Sequence, residues 1–134
     1  MRASEIRRLA RRARIGPGVP VRDACCGAAG PGRLIAADLG CDHLGVDHSA
    51  AALEGARRTS GDPPCRFERV QVPPLPEGRF AVVLLETMPA FPDKPSLLTE
   101  VARALDEPLA AHRLCRDWLG RGRVRGFSLL AAKR

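Results

Sequence analysis

Short apolar runs alternate with stretches of helical periodicity along most of this chain, and that alternation constrains its fold more than any other feature. Val19–Cys26 reads as a buried strand that ends in a turn of small residues, Gly27-Ala28-Ala29-Gly30. A helix follows from about Pro31 to Leu39, closed by Gly40. His43–Asp47 reads as a second strand, and Ser49 is placed to cap a helix over Ala50–Arg58. Cys65–Val72 is a weak third strand. Phe80–Leu85 is a continuous apolar run of the kind a central parallel strand shows. Pro92-Asp93-Lys94-Pro95 opens a helix that carries Leu97, Leu98, Val101, Ala102 and Leu105. Another helix is expected over Leu109–Leu119, and a last strand over Val124–Ala132. Strands separated by helices imply a Rossmann-like, doubly wound α/β domain. Its mostly parallel sheet should have about five strands, with helices on both faces.

In such a sheet the binding crevice lies beyond the carboxyl ends of the strands. The first strand-to-helix turn, Asp23 to Pro31, is therefore the place to look. Its small side chains admit a ligand to the backbone, and the N–H groups of the next helix point into the gap. About twenty residues on, Gly45-Val46-Asp47 ends the second strand in a carboxylate that can accept hydrogen bonds from both hydroxyls of a ribose. Asp47 also reads, more plainly, as a strand-end carboxylate that caps the next helix. His43, His48 and His112 are the only histidines, and their ordinary reading is structural or surface.

Charge and cysteine usage exclude several classes. The net charge is +7, and only two of the 22 basic residues, Lys94 and Lys133, are lysines. Arginine and alanine are abundant and tyrosine is absent, a bias that codon composition can produce. Charge alone therefore makes a nucleic-acid partner an unfavoured expectation. Residues 3–14 form a basic amphipathic helix, with Ile6, Leu9, Ala10 and Ala13 on one stripe and Arg7, Arg8, Arg11, Arg12 and Arg14 on the other side. No apolar run approaches the roughly 18 residues of a membrane span, and no apolar stretch follows Arg7-Arg8 as a secretory signal requires. No membrane partner is expected. The five cysteines, Cys25, Cys26, Cys41, Cys65 and Cys115, form no metal-ligand spacing. A reducing cytoplasm without a metal site fits them. One domain over 1–134 is expected, with a basic helix over 1–15 and the α/β core over 16–134.

The stretches VRDACCGAAGPGRLIAADLG and LGVDHSAAALEGARR resemble motif I and the acidic second-strand motif of class I S-adenosyl-L-methionine-dependent methyltransferases. The nearest likeness is to the ubiquinone/menaquinone-type and actinobacterial natural-product branch. LPEGRFAVVLLETMPAFPDKPSLLTEVARAL resembles that branch's fourth strand and the helix after it, and RDWLGRGRVRGFSLLAAKR its closing helix and strand. The resemblance implies S-adenosyl-L-methionine as cofactor. It sets Asp23, Cys25, Cys26, Gly27 and Ala29 beside the methionine moiety, Asp47 on the ribose and His48 against the adenine. It sets Glu86, with Thr87, at the methyl-transfer centre.

The chain departs from the family at four places. The family's Gly-x-Gly-x-Gly reads Cys25-Cys26-Gly27-Ala28-Ala29, so a Cβ stands where a positive φ or a close approach is expected. The acidic residue expected after the third strand is replaced by the stretch Glu68-Arg69-Val70-Gln71, and the aspartate before the fourth strand is Ala81. The family's fifth and sixth strands are missing after Leu105. Closing that gap predicts that Val124–Ala132 pairs directly with Phe80–Leu85, giving the strand order 3-2-1-4-5. Two functions follow. One is methyl transfer to a small-molecule acceptor of secondary metabolism. The other is a non-catalytic methyltransferase-like module, a homodimer or the companion of a full-length partner protein.

Overall fold

The computed structural model describes residues 2–61, 65–75, 82–85, 92–104 and 129–132. Its elements run α1 (Ala3–Arg12), β1 (Pro20–Ala24), α2 (Gly30–Leu39), β2 (Asp42–Asp47), α3 (Ala50–Thr59), β3 (Arg66–Arg69), β4 (Val82–Leu85), α4 (Lys94–Ala104) and β5 (Leu129–Ala132). The five strands form one sheet in the order β3-β2-β1-β4-β5. β1, β2, β3 and β4 are mutually parallel, with Asp23 opposite Gly45 and Gly45 opposite Phe67. The last strand lies directly beside β4, as the shortened sequence requires, and it runs antiparallel to it.

Local chemistry explains where the elements start and stop. The Glu5 carboxylate accepts from the Arg2 N–H at 2.8 Å and closes the first turn of α1. Pro31 occupies the first turn of α2, and Gly40 ends that helix at φ +67°. Ser49 Oγ accepts from the Ala52 N–H at 3.2 Å and caps α3. β3 is shorter than the expected Cys65–Val72. Its ladder ends at Arg69, and beyond Val72 stand Pro73 and Pro74, which have no N–H to donate. The helix expected over 109–119, Ala81, and residues 124–128 of the last strand lie outside the described residues.

Alternation along the strands sorts side chains onto two faces. Val21 belongs to a cluster with Ile6, Ala10, Ile15, Ile35, Ala36 and Cys41, so α1 and α2 share one face of the sheet. Phe67 belongs to a second cluster with Ala29, Leu53 and Ala56, which brings α3 to that same face. On the reverse face Arg22, Ala24, Leu44 and Val46 are all buried. Arg22 stands out there. Burial lowers its pKa, while the Glu68 carboxylate on β3 favours the charged form.

Candidate functional site

β1 delivers the chain into a loop whose backbone is unusual at every second residue. Cys25, Gly27 and Ala29 have φ of +56°, +53° and +55°. These are the three positions where the sequence motif calls for glycine. The left-handed conformation is kept although two of the residues carry a Cβ, at a cost of about 1 kcal/mol or more each. The loop is tied at both ends. The Cys26 N–H donates to the Val46 carbonyl at 3.0 Å, and the Ala29 N–H donates to the Cys26 carbonyl at 2.7 Å. A Cβ built on Gly27 or on Gly30 meets no atom within 4 Å, so the space over the loop is open.

Asp47 closes this crevice from β2. Its Oδ2 accepts from the Gly27 N–H at 2.8 Å, and its Oδ1 accepts from the Ser49 N–H at 2.8 Å. One carboxylate thus links the loop to the start of α3. Each oxygen still has a lone pair for a further donor. The structure gives Asp47 the plainer of its two sequence readings, a strand-end carboxylate that braces the start of the next helix, and adds a tie to the loop. His48 is exposed, with Nδ1 at 3.4 Å from Asp47 Oδ1, and its carbonyl accepts from Arg69 Nε at 3.0 Å.

Under the loop lies a buried polar pair. His43 Nε2 is 3.4 Å from Asp23 Oδ2, and the two side chains are 1% and 5% exposed. The Phe67 ring meets the imidazole edge-on. A Cβ on Gly32 would stand 2.1 Å from His43 Nε2 and 2.5 Å from Asp23 Oδ2, so α2 rests on the pair by virtue of that glycine. A Cβ on Gly45 would likewise collide with the Phe67 ring and with Cys26 Sγ. Burial pushes the Cys26 thiol up to about 12, helped by the Asp23 and Asp47 carboxylates, so it stays a protonated wall of the crevice.

The structure brings Cys25, Cys26, Gly27, Asp47 and His48 to one crevice and sets Asp23 beneath α2, against His43, whereas Ala29 is fully buried against Leu53, Ala56 and Phe67 and does not reach the crevice. Glu68 and Gln71 are exposed, Glu68 on the edge strand. Glu86 and Thr87 lie outside the described residues. The His43–Asp23 pair and the seat of Gly32 escaped the sequence reading. A histidine inside an apolar strand, diagonal to the motif I aspartate on the same face of the sheet, is the signal that marks them.

A doubly wound sheet with this loop at the end of β1 and a carboxylate at the end of β2 defines an α/β domain of the Rossmann-like class. The family described as the methyltransferase domain matches residues 21–107, and the chain belongs to that family, the class I S-adenosyl-L-methionine-dependent methyltransferases. No curated protein shows a sequence match. Among solved structures, the MccD protein is 18% identical with a TM-score of 0.68, covering 76% of this chain and 48% of its own. The glycopeptide N-methyltransferase MtfA complexed with sinefungin is 19% identical, TM-score 0.66, covering 79% and 46%. The [4+2]-cyclase SpnF is 21% identical, TM-score 0.65, covering 77% and 40%. At such identities these likenesses show the fold, and the chain spans less than half the length of each. No helix among the described residues is long and apolar enough to cross a membrane.

Proposed function

We propose that the chain binds S-adenosyl-L-methionine in the crevice between residues 25–30 and Asp47 and passes its methyl group to a small-molecule acceptor of secondary metabolism, in the cytoplasm. One observation carries the reading. The loop holds all three left-handed positions although two of the glycines are gone, and its central N–H is locked to the strand-end carboxylate.

The residues present fit the cofactor. Asp47 takes the ribose hydroxyls on its remaining lone pairs, and His48 lies against the adenine. Cys25, Cys26 and Gly27 border the methionine moiety, with Asp23 behind them and Ala29 packed beneath the loop. The bound cofactor supplies a methyl group already activated on a sulfonium. The protein's share is then to position the acceptor in line and exclude water. Glu86 and Thr87 are the proposed residues at the transfer centre. The domain proposed for this activity is 1–134 as a unit.

A second reading is a non-catalytic module that stabilises a second copy or a longer partner. The replacement of two motif glycines by Cys25 and Ala29, each carrying a Cβ at positive φ, favours it. Calorimetry with S-adenosyl-L-homocysteine separates the two. The first reading expects saturable binding and a 10- to 100-fold loss in Asp47→Ala, the worth of hydrogen bonds to a charged group. Undiminished binding in that variant overturns the ribose placement. A folded wild type that stays unbound at millimolar ligand sinks the first reading and leaves the second.

A further inference from the structure

Charge is spread very unevenly over this molecule. Residues 2–14 hold six arginines against the single carboxylate of Glu5, which is five of the seven net positive charges of the whole chain. The way α1 is seated decides what those charges can meet. Its apolar stripe is consumed, since Ile6 and Ala10 are buried in the cluster shared with α2. Arg2, Arg7, Arg8, Arg11, Arg12 and Arg14 are all exposed, or nearly so, on the outer side. Of these six side chains only that of Arg7 meets a carboxylate among the described residues, Asp38, at 2.5 Å.

We propose that the outer face of α1 is a docking surface for the phosphodiester backbone of a nucleic acid. Arg8 and Arg12 form one row on α1 and Arg7 and Arg11 another, successive residues about 6 Å apart along the axis, with Arg14 just past the helix end. Guanidinium forks match phosphate oxygens two at a time. An acidic bilayer is disfavoured because a membrane-surface helix needs its apolar face free, and here that face is buried. A protein partner is disfavoured because protein interfaces centre on apolar and aromatic side chains, which this face lacks. The surface is separate from the proposed cofactor crevice. Asp38 sits in the last turn of α2, about 12 Å along the helix from the 25–30 loop at its start. It is a tether, independent of whether the crevice carries out methyl transfer.

Fluorescence anisotropy with a labelled single-stranded 20-nucleotide RNA of mixed sequence tests this on the full chain. Micromolar binding is expected at 50 mM salt. With about four phosphates neutralised, log K should fall against log salt with a slope near −3. The pair Arg8→Gln/Arg12→Gln should weaken binding at least tenfold and roughly halve the slope, with an unchanged circular-dichroism melt. The exposed control pair Arg58→Gln/Arg66→Gln should leave affinity within about twofold. If the Arg8/Arg12 variant melts early, Arg11→Gln carries the same test, with a slope smaller by about 0.7. Absence of binding at 50 mM salt, an equal loss in the control pair, or capture by phosphatidylserine vesicles in place of RNA overturns the proposal.

Discussion

Cys25 and Ala29 pose the same backbone question and should answer it differently. Both sit in the left-handed region where a Cβ is strained by about 1–2 kcal/mol. Cys25 is only half-buried, so Cys25→Gly removes that strain and loses little packing. The greater freedom of glycine in the unfolded chain returns part of the gain. A net stabilisation of about 0.5–1 kcal/mol is expected in urea unfolding. Ala29 is fully buried against Leu53, Ala56 and Phe67. Removing its methyl forfeits about 0.8 kcal/mol of burial, so Ala29→Gly should be close to neutral. Equal effects from the two substitutions would mean that packing, and not φ, governs this loop.

At the scale of elements, the fold depends on how closely α2 approaches the sheet. Gly32 provides the clearance, and what lies below it is not an apolar floor but the buried His43–Asp23 pair. Gly32→Ala forces the methyl into His43 Nε2 and Asp23 Oδ2, neither of which has room to retreat under a rigid helix. Overpacking of this kind costs about 3 kcal/mol, and the helix carries the loop with it. Thermal unfolding should show a large drop, and S-adenosyl-L-homocysteine affinity should fall in step. The conformationally similar change Gly55→Ala, at a half-buried position mid-helix in α3 where the methyl meets only the tip of Arg58, should instead stabilise slightly. A mild effect at Gly32 would show that α2 rides higher than its register with β1 and β2 indicates.

For the molecule as a whole, buried thiols tie stability to pH. Burial raises the Cys26 thiol to about 12 and the Cys41 thiol to about 11. Both hold their protons more tightly folded than unfolded. That share of stability is complete below the ordinary thiol value of about 8.5 and is lost as pH climbs through about 11 and then about 12. Urea midpoints taken between pH 8 and pH 11.5 should decline, and the double variant Cys26→Ala/Cys41→Ala should decline less steeply. The order of the strands, the place of the β1–α2 turn and the carboxylate at the end of β2 were legible in the sequence. They follow from local periodicity, turn chemistry and spacing, which each segment records for itself. The missing strands even dictated which neighbour the last strand must take. Its antiparallel direction was not legible, because direction depends on how often the chain crosses the domain between strands. The conformation of Cys25 and Ala29 ran against their side chains, since the ties of Cys26 to β2 and of Gly27 to Asp47 impose it from outside the loop. Asp23 and His43 are twenty residues apart and meet only because two parallel strands bring them side by side under a glycine. Local chemistry therefore set the elements and their order, while contacts between distant residues decided strand direction, strained backbone and buried polar pairing.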